Sequence, residues 1–309
     1  MKTKDPILTW LLEGDPAIRW QVLRDLCSAD EAKFLRERKK IASEGWGARL
    51  LARQAASGLW GGGLYGPKWI STTYTMLLLR QLGLPADHPQ ALKACKLLLD
   101  EGCYHDGGIN FFAAMQHSET CVTGMVLAIL AYFDFPDARM EKMVEHLLLQ
   151  QMPDGGWNCE SYRGATHSSF HTTISVLEGL REYEKRHPSE SVARSQESGA
   201  EFLLVHKLFR SHRNGAVVDP KMTRFSFPPR WRYDIMRALD YFQACRLARD
   251  PRMDEAIAII KKKRSADGTW VLQSKHPGRT FFEMEKIGKP SRWNTLRALR
   301  ILQWYERDE

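Results

Sequence analysis

Three side chains in this chain have the types and order to hold a metal ion: Glu119, Cys121 and His171. A carboxylate, a thiolate and an imidazole are all Zn²⁺ ligands, and three protein ligands would leave a fourth position for a substrate or water. They become neighbours only if segments some fifty residues apart are brought together, so the elements that position them must be found first. Two competing ligand sets lie nearby. His117 with Cys121, and His167 with His171, are i, i+4 pairs that share one face of a helix. Glu119 and Cys121, two apart, point to nearly opposite sides of a regular helix, so they share a metal only where the helix begins between them or is irregular. A third reading needs no metal. Glu119 is then a first-turn carboxylate favoured by the helix dipole, His171 its hydrogen-bonded partner, and Cys121 a packed small apolar residue.

The positioning elements show in an internal repeat. Gln54-Ala-Ala-Ser-Gly58-Leu-Trp60 recurs as Gln151-Met-Pro-Asp-Gly155-Gly-Trp157. Degenerate copies keep the frame at Cys103–Gly107–Ile109, Ser211–Gly215–Val217 and Arg264–Gly268–Trp270. A period of roughly fifty residues means one supersecondary unit stacked on copies of itself. Between the tracts lie two kinds of helical pattern. One kind, near residues 17–27, 71–84, 117–133, 170–183, 231–248 and 292–305, is largely apolar around its circumference and is expected to be buried on most sides. The other, near 30–43, 89–101, 137–151, 197–209 and 253–263, is amphipathic and charged. The expected fold is all-α, a single domain over residues 1–309. It is an (α/α)6 toroid of six helical hairpins, with a buried inner ring and an exposed outer one. An open α-solenoid is the rival, and would give its repeats similar faces throughout. Glycine in each tract serves a positive-φ turn, and Trp60, Trp157 and Trp270 read as scaffold.

Aligning the inner helices on their apolar pattern puts Trp20, Ser71, Glu119, His171, Tyr233 and Trp293 at one level. Two residues on come Val22, Thr73, Cys121, Thr173, Ile235 and Thr295. Trp20, Ser71, Tyr233, Asp234 and Trp293 are accordingly expected to line the cavity. Two long connections, Ser211–Arg230 and Leu272–Arg292, mix basic and aromatic residues and are candidate lids.

The tract, its period and the helix alternation resemble the squalene cyclase and protein prenyltransferase β-subunit superfamily over essentially the whole chain. The resemblance implies a terpenoid cyclase- or prenyltransferase-like protein whose central cavity takes an isoprenoid or other apolar small molecule. In prenyltransferase β subunits an Asp-x-Cys pair and a histidine opening the next inner helix hold zinc. Glu119-Thr-Cys121 and His171 match that order, with glutamate for aspartate, so the resemblance implies Zn²⁺ on these three residues. The chain departs from the family elsewhere. It has no Asp-x-Asp-Asp acid, which disfavours protonation-initiated cyclisation, and no DDxxD box for Mg²⁺–diphosphate. Residues 109–116 lack the positive charge that holds diphosphate in prenyltransferases. Protein prenylation would also need an α subunit.

Composition narrows the classes. Of 309 residues, 43% are hydrophobic and 27% charged, as in ordinary globular proteins. No apolar run approaches the ~18 residues of a membrane span, and the start, Met1 to Pro6, is not expected to be a signal peptide. Six cysteines without CxxC spacing suit thiols in the cytoplasm. The net charge of +8 is densest at Lys33–Lys40 and Lys261–Arg264, on expected outer helices, and lacks the aromatic interleaving of a nucleic-acid module. Three functions remain: an enzyme acting on an isoprenoid or similar molecule, a non-catalytic hydrophobic-ligand binder, and an interaction scaffold.

Overall fold

The computed structural model describes residues 5–307; Met1–Lys4, where the expected absence of a signal peptide begins, lie outside them. Among the described residues regular structure is helical, with only isolated β-bridges besides. The buried helices are α2 (Pro16–Asp25), α5 (Thr72–Leu82), α7 (Thr120–Tyr132), α9 (Phe170–Glu184), α11 (Ile235–Ala244) and α13 (Arg292–Tyr305). The others are α1 (Pro6–Leu12), α3 (Glu31–Lys39), α4 (Gly45–Leu51), α6 (Pro89–Asp100), α8 (Arg139–Leu149), α10 (Glu190–Val205) and α12 (Asp254–Lys262). The sequence pattern missed α1 and α4, and it began α11 four residues early. That helix starts only where the Asp234 carboxylate caps the N–H of Arg237 at 2.8 Å.

Each buried helix packs on the next: α5 on α7, α7 on α9, α9 on α11, α11 on α13, and α13 back on α2. Between α2 and α5 the contact runs through side chains, with Trp20 Nε1 donating to Leu82 O at 2.8 Å and Gln21 Nε2 to Gln81 O at 3.4 Å. The tightest approach is α7 against α9. A Cβ on Gly124 would stand 2.8 Å from Ser175 O, and one on Gly179 2.5 Å from Gly124 O, so only glycine lets these backbones meet.

The repeated tract is a clamp between helix ends. The last four carbonyls of a helix lack intrahelical donors, and the tract's indole supplies one: Trp60 Nε1 donates to Leu50 O in α4, Trp157 to Leu147 O in α8 and Trp270 to Ile260 O in α12, at 2.7–2.8 Å. All three tryptophans are fully buried. The glutamine bridges outward, Gln54 Nε2 to Gly58 O and Gln90 O, Gln151 Nε2 to Gly155 O and Ser195 O. At the other end the tract's backbone N–H donates to a threonine of the following buried helix: Trp60 to Thr72, Ile109 to Thr123, Trp157 to Thr173 and Trp270 to Thr295.

Those threonines set the true register. Thr123, Thr173 and Thr295 are each the fourth residue of their helix. Cys121, His171 and Trp293 are therefore equivalent second residues, and Glu119 is equivalent to the N-caps Ser169 and Ser291. A second repeated contact agrees: Ser118 binds the Asp106 carboxylate through N–H and Oγ, as Ser168 binds Asp154. The apolar-pattern alignment had displaced α7 by two residues. A helix apolar on nearly every side gives no phase by which to set it.

Candidate functional site

The residues singled out by sequence separate into three neighbourhoods. Glu119 holds the N-cap position of α7 without a capping hydrogen bond from its side chain, and burial raises its carboxyl pKa while Lys68 opposes the rise. The Cys121 N–H donates to Cys159 Sγ at 3.2 Å. A hydrogen bond between the two thiols themselves pushes Cys121 up and draws Cys159 down, the latter helped by the Thr172 hydroxyl 3.4 Å away and by the Cys121 N–H. Beside them the Tyr65 and Tyr74 hydroxyls meet at 2.8 Å, and burial raises both pKa values. Ser71 is buried, its hydroxyl donating to Tyr65 O.

His171 belongs elsewhere. Its Nδ1 accepts the Tyr233 N–H at 2.8 Å, and its ring stands edge-on to Trp231 with centroids 5.0 Å apart. His117 stacks on Tyr162 at 3.7 Å, and exposed His167 bonds Thr166. Among the described residues, no three His, Cys, Asp or Glu side chains are gathered as a metal would need. With Cys121 engaged by Cys159 and His171 by Tyr233, Glu119, Cys121 and His171 do not form a zinc donor set in this conformation.

Trp20 and Trp293 line a second place, a cavity of about 270 Å³ among the buried helices. Its walls carry seven cationic side chains, Arg24, Arg80, Arg181, Lys185, Arg237, Arg297 and Arg300, against the acids Glu178, Glu182 and Asp240. Each acid is shared. Glu178 takes Arg237 Nε at 2.7 Å and Arg80 Nη2 at 2.9 Å. Asp240 takes Arg297 Nε at 2.6 Å and Arg300 Nη2 at 2.7 Å, and Glu182 takes Lys185 at 2.8 Å. Burial works to raise all three carboxyl pKa values, but the surrounding guanidinium and ammonium groups outweigh it and hold them below the usual range. Asp25 stands behind as a fourth acid, on Arg24 and Arg300. The cations are still in surplus, and two buried donors, Arg80 Nε and Arg297 Nη1, have no hydrogen-bond partner. Trp20, Tyr132, Pro229, Tyr241 and Trp293 also line it.

The third place lies under the two long connections. They pair with each other: Gln273 N donates to Phe225 O, Phe225 N to Gln273 Oε1, and Ser226 forms an isolated parallel bridge with Ser274. The indole of Trp69 ties the second connection to the head of α5 through His276 O and Pro277 O. Between the connections and the head of α9 is a cavity of about 260 Å³, lined by His171, Ser226, Arg232, Tyr233, Asp234 and His276 among others. Tyr233 itself is buried, its hydroxyl donating to Leu208 O at 2.6 Å.

Sequence reasoning placed His276 in a candidate lid but missed Cys159, Ser226 and the central arginines. The arginines had a signal: Arg80, Arg237, Arg297 and Arg300 lie within segments that the apolar pattern marks as buried, where a charge must find partners.

No family model matches the chain, and no curated protein matches it. Among solved structures it is similar to the type II terpene cyclase MstE from Scytonema in the apo form, at 16% identity over 94% of this chain and 88% of that one, TM-score 0.47. A variant of that cyclase in complex with geranylgeranyl dihydroxybenzoate gives 16% identity, the same coverage and a TM-score of 0.48. A protein from Actinoplanes gives 16% identity over 95% of this chain and 91% of that one, TM-score 0.47. Identities this low, with TM-scores below 0.5, assign the chain to no family.

Proposed function

We propose that the six buried helices form the inner ring of a single-domain (α/α)6 toroid, and that the protein binds a small molecule with a multiply charged anionic head in the cavity they enclose. The observation that carries this reading is the surplus of cations there, with Arg297 Nη1 buried and unpartnered. A buried donor without an acceptor costs ~1–3 kcal/mol, and an anion would supply the acceptor. The aromatic wall of Trp20, Tyr132 and Trp293 suits an apolar stem on such a head. An isoprenyl diphosphate is the class that joins this chemistry to the resemblance in the sequence. At about 270 Å³ the cavity is at the low end for a ligand site, enough for the head and the start of a chain.

The site's chemistry is binding more than proton transfer. Glu178, Glu182 and Asp240 are each held ionised by cations, so none is a ready acid for protonating an alkene. Electrostatic capture of an anion by these arginines does not depend on a metal.

The test compares inorganic pyrophosphate, geranylgeranyl diphosphate and geranylgeraniol by thermal shift and calorimetry, on the wild type and on Arg297→Gln. Both diphosphates should raise Tm, since a ligand at a hundred times its Kd stabilises by ~2.7 kcal/mol. The substitution should remove most of the rise. Binding of the alcohol alone, undiminished in Arg297→Gln, would replace this reading with that of a hydrophobic-ligand binder.

A further inference from the structure

The cavity under the two connections has a different character from the central one, and it holds a nucleophile beside a base. Ser226 Oγ lies 3.2 Å from His276 Nε2 and donates its proton to Asp234 Oδ2 at 3.4 Å. The serine is on the first connection and the histidine on the second, held in register by the pairing of Phe225 with Gln273. His276 is further fixed by its own carbonyl, which accepts the Trp69 indole N–H at 3.1 Å. Asp234 Oδ1 is committed to capping α11, which leaves Oδ2 to face the serine.

Burial lowers the His276 pKa to about 4, with Arg232 and Arg230 adding to the effect, so the imidazole is neutral near pH 7. In the tautomer protonated on Nδ1, its Nε2 lone pair stands 3.2 Å from Ser226 Oγ, close enough to take the proton when the hydroxyl rotates away from its longer bond to Asp234. Lys221, Arg224, Arg232 and Lys275 line the same cavity, against Asp219 and Asp234. Arg232 Nε is buried without a partner, and His171, with Nδ1 occupied by Tyr233, has Nε2 as its remaining ring donor.

We propose that Ser226 and His276 form a nucleophile–base pair that hydrolyses a carboxylic ester bearing an anionic group. Ser226 Oγ attacks the acyl carbon and its proton passes to His276 Nε2. The C–O bond to the alcohol then breaks, and the departing oxygen takes the proton back from His276. Water, deprotonated by His276, attacks the acyl-serine; the acyl–Oγ bond breaks, Ser226 Oγ takes the proton back from His276 Nε2, and the carboxylic acid is released. Arg232 is the donor for the oxyanion formed in each half-reaction, and the remaining cations hold the substrate's negative group. An anion bound beside Arg232 offsets part of the field that depresses His276, so the base strengthens when substrate is present. The two cavities share no lining residue, so the pair is separate from the central site.

The test is covalent labelling with a fluorophosphonate, followed by intact-mass and peptide mass spectrometry. The expected result is one label per chain, on Ser226, with none in Ser226→Ala and a rate at least about a hundredfold lower in His276→Gln, the range for loss of a general base. Melting curves of both variants establish folding; if Ser226→Ala fails to fold, the peptide assignment in the wild type and the His276→Gln rate still decide. The p-nitrophenyl hemisuccinate should be hydrolysed faster than the uncharged acetate. An unlabelled wild type, a label on another residue, or a rate unchanged in His276→Gln overturns the proposal.

Discussion

Glu178→Gln should weaken the folded protein and tighten its grip on an anion. Glu178 is the acceptor shared by Arg237 and Arg80, its side chain 17% exposed to the cavity. The amide loses the charge but keeps the shape. Breaking a buried ion pair from one side costs ~3–5 kcal/mol, and the contact with the cavity places this case at the lower end, about 3 kcal/mol. At an unfolding entropy of ~2.1 cal/mol/K per residue over 309 residues, each kcal/mol shifts Tm by about 1.5 °C, so Tm falls by roughly 5 °C. Arg80 retains Glu182 at 3.5 Å, but Arg237 Nε loses its carboxylate partner. Two guanidinium groups are thereby released toward the cavity. A charge pair 4 Å apart at an effective dielectric of 20 is worth ~4 kcal/mol before desolvation, so a net gain of about 1.4 kcal/mol, tenfold in Kd, is a conservative expectation for pyrophosphate.

The assay is calorimetric titration of pyrophosphate at fixed ionic strength, with melting curves alongside. Saturating pyrophosphate should recover much of the lost Tm. Glu201→Gln is the control: its pair with Arg252 is on the surface, so neither Tm nor pyrophosphate affinity should move beyond error. A folded Glu178→Gln that binds pyrophosphate no better than the wild type, or more weakly, would refute the argument. The arginines would then be holding the helices together and nothing more.

Gly124→Ala should destabilise by more than ~2 kcal/mol, because its Cβ would meet the α9 backbone at 2.8 Å and only separation of α7 from α9 relieves that; urea melts check it. Gly155→Ala strains a φ of +92° and drives a Cβ to 2.5 Å from Ser198 O, so a loss of about 1–3 kcal/mol is expected in the same assay. Stability should also fall on acidification from pH 6.5 to 4. His171 and His276 have folded pKa values of about 4, chiefly through burial, against an ordinary 6.5, so in that window the unfolded chain takes up protons that the folded one refuses. After discounting for solvent screening, each contributes roughly 1–2 kcal/mol, and His171→Asn should flatten the Tm–pH curve over this interval. Elemental analysis bears on the zinc expectation directly: near-stoichiometric zinc lost in both Cys121→Ala and His171→Ala would require these side chains to leave their present partners and converge.

What the sequence made legible was periodic, and what it hid was a matter of phase and of pairing at a distance. The Gln-x3-Gly-x-Trp tract announced the helical hairpins because each of its residues answers a local need: the indole for a C-terminal carbonyl, the glycine for a positive φ, the glutamine for two more carbonyls. The same locality explains the failure at Glu119. Its column with His171 was set by apolar pattern, and α7, buried from Val122 to Ala131, is apolar in every direction. Polar anchors carry the phase instead. Thr123 and Ser118 repeat at Thr173 and Ser168, and that fifty-residue offset sends Cys121 to His171 and Glu119 to Ser169.

The central cavity was hidden for the complementary reason. Arg80, Glu178, Arg237, Asp240 and Arg297 come from four helices, and nothing local to any of them names its partner. What could have been read is the anomaly itself: arginine inside a segment otherwise patterned for burial costs several kcal/mol unless paired. In the segments taken as inner, residues 71–84, 170–183, 231–248 and 292–305 all carry such charges, whereas 117–133 carries none between Thr120 and Tyr132. That contrast separates the helix that packs glycine to glycine on α9 from those that surround a charged centre. In a repeat fold the departures from the repeat are where function is to be sought, and here they are the arginines and the two long connections.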